Sequence, residues 1–236
     1  MSHRHPSSRI AHRASHHSSP SPCALLSLAI AGAAGFVALA LAVFRGTWFP
    51  GLDAMVHRHF AFAGDGVLYQ AMCWTSHLHD TGFVVIYLML LCVFLWRRHE
   101  GRWLAAALVS PLGAMAMNWV LKQVFERPRP PRWPSAAVSS TFSFPSGHTI
   151  AAAMLYGLVA CHVLLASGMG PRARAGAVTL CALAVAAVAF SRVVVGAHYL
   201  SDVLASVCEG MVWLALTMLW IRRRQHAPMP LASAPP

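Results

Sequence analysis

Six long apolar runs, separated by short polar connections, dominate the chain: residues 24–44, 81–96, 103–121, 147–166, 175–191 and 199–221. A helix needs about 20 predominantly apolar residues to cross the hydrocarbon core of a bilayer. The pattern therefore predicts an all-α polytopic membrane bundle with six transmembrane helices, occupying residues 23–224. The run at 81–96 is short, so its helix starts earlier or crosses with little tilt. Residues 51–79 mix apolar and polar positions, as in Ala54-Met-Val-His-Arg-His-Phe60. They read as one or two helices lying in the membrane interface, with Trp48 and Trp74 near headgroup level. Residues 1–22 are rich in Ser, His, Arg and Pro and have no apolar period, so they are expected to be a disordered tail. The C-terminal residues 225–236 are read the same way.

Composition agrees with the pattern. Hydrophobic residues make up 57% of the chain and charged residues 11%, against roughly 25% charged in a soluble domain. The net charge of +11 falls in short clusters between apolar runs, not on one face or in one block. That argues for membrane topology and against a nucleic-acid partner. With a cytoplasmic N-terminus, the inside segments hold Arg4, Arg9, Arg13, Arg97, Arg98, Arg102, Arg172, Arg174 and Arg222 to Arg224. The positive-inside bias then puts both termini in the cytoplasm. The outside cations concentrate between Lys122 and Arg132. The six cysteines lie mostly within apolar runs, at no metal-ligand spacing, and read as small buried residues.

Three polar clusters interrupt the apolar chain, all on the same predicted side. The first is Lys122 followed by Arg129 and Pro130, in a loop that several prolines stiffen. The second is Pro145-Ser146-Gly147-His148, directly before an apolar run. A helix starting there presents free N–H groups and a partial positive charge, which suits an anion. The third is Ser191-Arg192 followed by His198 and Asp202. An i,i+4 pair shares a helix face, so the carboxylate can hold one imidazole nitrogen and leave the other as nucleophile. Each cluster has a plainer reading: a basic membrane edge, an ordinary helix cap, a surface ion pair. Together they supply three cations, two histidines, a carboxylate and a helix N-terminus. Phosphoryl transfer calls for that set, because cationic donors stabilise the charge on the equatorial oxygens. Carbonyl chemistry does not need three cations, and a zinc site wants closer ligands with fewer cations nearby.

In these residues the chain resembles the type 2 phosphatidic acid phosphatase and vanadium haloperoxidase superfamily. All three parts of that signature are present in order: Lys122 to Arg129-Pro130, Pro145 to His148, and Ser191-Arg192 to His198 and Asp202. The resemblance implies that Lys122, Arg129 and Arg192 grip phosphate oxygens, with Ser146 and the Gly147 backbone N–H adding hydrogen bonds. It implies that His198 attacks phosphorus, that Asp202 orients His198, and that His148 serves the leaving oxygen and then the hydrolytic water.

Outside the signature, Arg127 reads as a secondary headgroup contact or a loop charge. Asn118 reads as a brace for Lys122. Glu209 lines a lipid channel or, the favoured reading, hydrogen-bonds within the bundle. His162 is placed near the cytoplasmic edge.

The expected activity is hydrolysis of a lipid phosphomonoester or pyrophosphate through a phosphohistidine, with no metal or other cofactor. The expected partners are the bilayer and a lipid phosphate: phosphatidate, phosphatidylglycerol phosphate, undecaprenyl diphosphate or a lipid A phosphate. The expected location is an inner or plasma membrane with the site on the periplasmic or outer face. A lipid phosphotransferase using the same residues is the alternative within this chemistry. Vanadate-dependent halide oxidation is a weaker one, because those relatives are soluble. A non-enzymatic lipid-binding or transport protein is the alternative from another class, and the confinement of the charges to one side argues against it.

Overall fold

The structure is a computed structural model, and it describes residues 21–46, 48–61, 66–131, 141–166 and 168–225. Both expected tails therefore lie essentially outside the described residues. Every regular element among the described residues is a helix: α1 (Pro22–Phe44), α2 (Trp48–Phe60), α3 (Val67–His77), α4 (Thr81–Arg97), α5 (Gly101–Phe125), α6 (Gly147–Leu165), α7 (Pro171–Val194) and α8 (Leu200–Gln225).

The ends of these helices follow local chemistry. Ser21 caps α1 by accepting a hydrogen bond from the Ala24 N–H at 3.1 Å, and Pro22 occupies the first turn, where its missing N–H costs nothing. Pro171 starts α7 in the same way. Glu126 ends α5 in the left-handed region at φ 43°. Gly196 turns the chain between α7 and α8 at φ 73°, a conformation that a side chain would strain. The turn is closed by the N–H groups of Ala197 and His198, which both donate to the Arg192 carbonyl, at 3.0 and 3.1 Å.

Five helices are long and apolar enough to span a membrane: α1, α5, α6, α7 and the 200–223 stretch of α8. The sixth expected span differs from the sequence reading. α4 has 17 residues and qualifies only together with α3, from which it is bent by 57°. The α3–α4 pair is thus long and apolar enough for a sixth, bent span, and the same geometry also fits a re-entrant segment. α2 stays outside the set of spanning helices.

α8 is the central element, packed along α1 and in contact with α5, α6 and α7. The α1–α8 approach is close because Gly32 has no side chain: a Cβ there would sit 2.8 Å from the Cys208 carbonyl oxygen. Apolar layers stack along the bundle. Leu25, Leu95, Trp103, Leu158, Met218 and Ile221 pack at one end, Ala114, Ile150 and Met154 in the middle, and Ala40, Phe144 and Ala205 at the other. Outward positions stay apolar as well, with Leu90 and Trp119 each 63% exposed. This fits a surface whose solvent is lipid. The alternation of directions gathers the C-terminal ends of α5 and α7 and the N-terminal ends of α4, α6 and α8 at the Phe144 end.

Candidate active site

The three sequence clusters meet at that end, and the polar groups there are buried. Lys122, Ser146, Arg192, His198 and Asp202 all fall in the buried class. Arg129 lies in the loop after α5, and His148 sits in the first turn of α6.

Asp202, in the first turn of α8, is fully buried. Its Oδ2 accepts from the Tyr199 N–H at 2.9 Å, from His198 Nδ1 at 3.3 Å and, over a short bond, from the Ser143 hydroxyl. Its Oδ1 accepts from Arg127 Nη1 at 2.6 Å. A buried carboxylate needs this many donors to remain ionised. Because Asp202 only accepts, Nδ1 of His198 carries the hydrogen, and the lone pair of the neutral ring is on Nε2. Burial pushes the His198 imidazole down to about 3, although Asp202 pulls the other way. The ring is therefore neutral at ordinary pH, as a nucleophile must be.

Carbonyl and hydroxyl oxygens help to fix the three cations in place. Lys122 Nζ donates to the Phe142 and Ser143 carbonyls at 2.7 and 3.4 Å. Arg129 donates to the Thr141 carbonyl at 3.1 Å, the Thr141 hydroxyl at 2.9 Å and the Ala197 carbonyl at 3.2 Å. Burial lowers the Arg129 pKa below the ordinary arginine value, against the pull of Asp202. Arg192 donates to the Ser76 hydroxyl of α3. Lys122, Arg129 and Arg192 lie within electrostatic reach of one another. Repelling cations held this way favour a multiply charged anion.

The start of α6 is fastened to the start of α8. The Ser146 N–H donates to the Asp202 carbonyl at 3.2 Å, and the Ser206 hydroxyl donates to the Ser146 carbonyl at 2.9 Å. The Ser146 hydroxyl accepts from Thr149 Oγ1 at 3.0 Å instead of capping the helix backbone. The Phe144–Pro145 peptide bond is cis.

Several residues contribute that sequence reasoning missed or undervalued. Arg127 is not a loop charge. Its guanidinium donates to Asp53 at 2.8 Å and to Ser201 at 2.6 Å as well as to Asp202, and it stacks 4.2 Å from the Tyr199 ring centroid. Burial opposes this charge, but Asp202 and Asp53 outweigh it and raise the Arg127 pKa. Asp53 of α2, 1% exposed, also accepts from the Ser201 N–H at 2.9 Å and the Ser201 hydroxyl at 2.5 Å. Asp80, between α3 and α4, meets His148 Nε2 at 2.9 Å. The chain has only seven acidic residues. Carboxylates are costly near an apolar bundle, so that scarcity was the signal for Asp53 and Asp80.

Asn118 does not brace Lys122. Its amide donates to Glu209 Oε2 at 3.1 Å, which agrees with the reading of Glu209 as a partner within the bundle. His162 pairs with Glu100 at 2.5 Å near the opposite end of α6.

A PAP2 superfamily model matches residues 102–226. Phosphatidylglycerophosphatase B of Bacillus subtilis (strain 168) is 28% identical over 148 residues, which cover 61% of this chain and 71% of that protein. Among solved structures, a transmembrane PAP2 type phosphatidylglycerolphosphate phosphatase from Bacillus subtilis superimposes with a TM-score of 0.72 at 24% identity, over 84% of this chain and 96% of that one. LpxE from Aquifex aeolicus superimposes with a TM-score of 0.52 at 19% identity, over 71% and 95%. These likenesses agree on the multi-pass helical membrane fold and, with the matched family, on a phosphoric ester hydrolase. By a match over more than half of its length, including all three signature clusters, the chain belongs to the PAP2 superfamily.

Proposed function

We propose that this protein hydrolyses a phosphomonoester or pyrophosphate of a membrane lipid, with His198 as nucleophile and no metal ion. The observation that carries the reading is the His198–Asp202 pair, buried beside Lys122, Arg129 and Arg192 at the N-terminus of α6.

Lys122, Arg129 and Arg192 receive the phosphate oxygens, and the free N–H groups of the first turn of α6 add donors. His198 Nε2 attacks phosphorus as the bond to the lipid oxygen breaks, and His148 supplies the proton that oxygen takes. His148, now neutral, removes a proton from water as the water attacks the phosphohistidine, which releases phosphate and restores both histidines. Asp202 holds Nδ1–H of His198 and balances the charge that develops on the ring.

A lipid substrate is supported by an apolar cavity of about 350 Å³ beside His148, lined by Val84, Val85, Leu88, Leu112, Met115 and Leu155 among others. It lies between α4, α5 and α6, where an acyl chain has apolar surroundings next to the acid–base group. Phosphatidylglycerol phosphate is the first candidate, since a relative carries that activity in its name. Phosphatidate, undecaprenyl diphosphate and lipid A phosphates complete the panel. A modest arginine bias supports termini in the cytoplasm and a site at the outer face.

The test is phosphate release from that panel by detergent-purified protein in excess EDTA, beside His198→Ala. Release that survives EDTA and disappears in the variant supports the reading. Release abolished by EDTA, or retained in the variant, overturns it.

A further inference from the structure

Asp80 is the N-cap residue of α4, yet its side chain makes no hydrogen bond to the first turn of that helix. An aspartate at this position ordinarily accepts from the N–H two or three residues on, which is why it is favoured there. Here both oxygens are turned elsewhere. Oδ1 meets His148 Nε2 at 2.9 Å and Oδ2 meets His77 Nδ1 at 2.8 Å.

The segment holding Asp80 is fixed against α6 by a separate contact. His79 donates from Nδ1 to the Thr75 carbonyl at 2.8 Å, so its Nε2 accepts from the Tyr156 hydroxyl of α6, also at 2.8 Å. That contact lies about two turns along α6 from His148. The 57° bend between α3 and α4 brings both neighbours, His79 and Asp80, onto the same helix. Arg192 and Arg129 bring their positive charge to the His148 ring, and Asp80 brings negative charge to it.

We infer that Asp80 is the positioning residue for His148, forming a second carboxylate–histidine pair that holds the acid–base ring in one tautomer and supports its protonated form. The inference rests on the acid–base role proposed for His148. Because Asp80 accepts, Nε2 of His148 keeps a hydrogen throughout and Nδ1 is the atom that exchanges protons with the reactants. In the first half-reaction the His198–phosphorus bond forms, the ester bond breaks, and the Nδ1 proton passes to the departing alkoxide. In the second, Nδ1 takes a proton from the attacking water. Asp80 accepts a hydrogen bond in both and gains no proton. The two histidines are thus oriented alike, each by a carboxylate: Asp202 from within the bundle, Asp80 from its rim.

The experiment compares kcat/KM of wild type, Asp80→Asn, Asp80→Glu and His148→Ala on two substrates, an alkyl phosphate with a poor leaving group and p-nitrophenyl phosphate. kcat/KM reports the step in which the ester bond breaks, and p-nitrophenolate leaves without protonation. Positioned general acids contribute about 10²–10⁴-fold, so Asp80→Asn should lose roughly 10-fold or more on the alkyl phosphate and under about 3-fold on p-nitrophenyl phosphate. Activity on the second substrate also reports that the variant is folded. Asp80→Glu should recover part of the loss. Equal losses on both substrates in Asp80→Asn, or none on either, overturn the inference while His148→Ala still discriminates between them. If His148→Ala fails to discriminate, its acid role falls and the inference falls with it.

Discussion

The two ends of α6 each carry a histidine paired with a carboxylate, His148 with Asp80 at the start and His162 with Glu100 in the last turn. Around His148 stand the N-terminus of a helix, the cations Arg192 and Arg129, and an apolar cavity. Around His162 stand the rings of Trp103 and Phe94, at centroid distances of 5.1 and 5.9 Å, and a cavity of its own. Glu100 also accepts from Arg98 at 3.2 Å. A helix C-terminus stabilises a protonated histidine and repels an anion. The same side-chain pair is therefore a structural tie at one end and part of the proposed phosphate site at the other. What separates them is the direction of the helix and the company of cations.

The comparison can be broken first at the nucleophile. His198→Ala should lower lipid phosphate turnover by roughly 10³-fold or more, whereas His162→Ala should leave turnover within about 2-fold and register in thermal stability, since a hydrogen bond to a charged group contributes about 1.5–3 kcal/mol. Comparable activity losses from the two variants would dissolve the distinction. Asp202→Asn should follow closely, with a fall on the order of 10²–10⁴-fold by analogy with other histidine-orienting carboxylates.

Arg127→Leu comes next. It leaves Asp53 and Asp202 buried without their guanidinium partner. Breaking a buried pair from one side costs about 3–5 kcal/mol, so the melting temperature and the activity should fall together. A variant with lowered activity and an unchanged melt would recast Arg127 as a direct substrate contact.

The last effect is in pH. His198 has an ordinary value of 6.5 and is lowered by burial to about 3. Between those values the unfolded chain binds more protons at this site, so this group makes stability rise with pH and fall on acidification. His198→Gln should reduce the acid-side loss of thermal stability over that window. A loss as steep as that of wild type would assign it to other groups.

The signature residues were legible because each cluster is local: His198 and Asp202 are four positions apart, and Ser146 to His148 are consecutive. Helix periodicity and end chemistry mark such groups as candidates, and the family resemblance implies their roles. Asp53 was not legible, since its partner Ser201 lies 148 residues away and only the packing of α2 brings them together. Asp80 was hidden for a related reason. Its locally expected role is a helix cap, and it meets His148, 68 positions on, at the 57° bend between α3 and α4. The mixed polarity of α3, which read as interfacial, also serves the site through Ser76, which accepts from Arg192.

The most direct test of the account is chemical trapping of the covalent intermediate. The protein, purified in detergent with EDTA, is mixed with a ³²P-labelled lipid phosphate, quenched within milliseconds and mapped by mass spectrometry. The account predicts an acid-labile, alkali-stable phosphoryl group on His198 that is absent from His198→Ala. Turnover by wild type with no label on His198 at any quench time, together with turnover retained in His198→Ala, would contradict it.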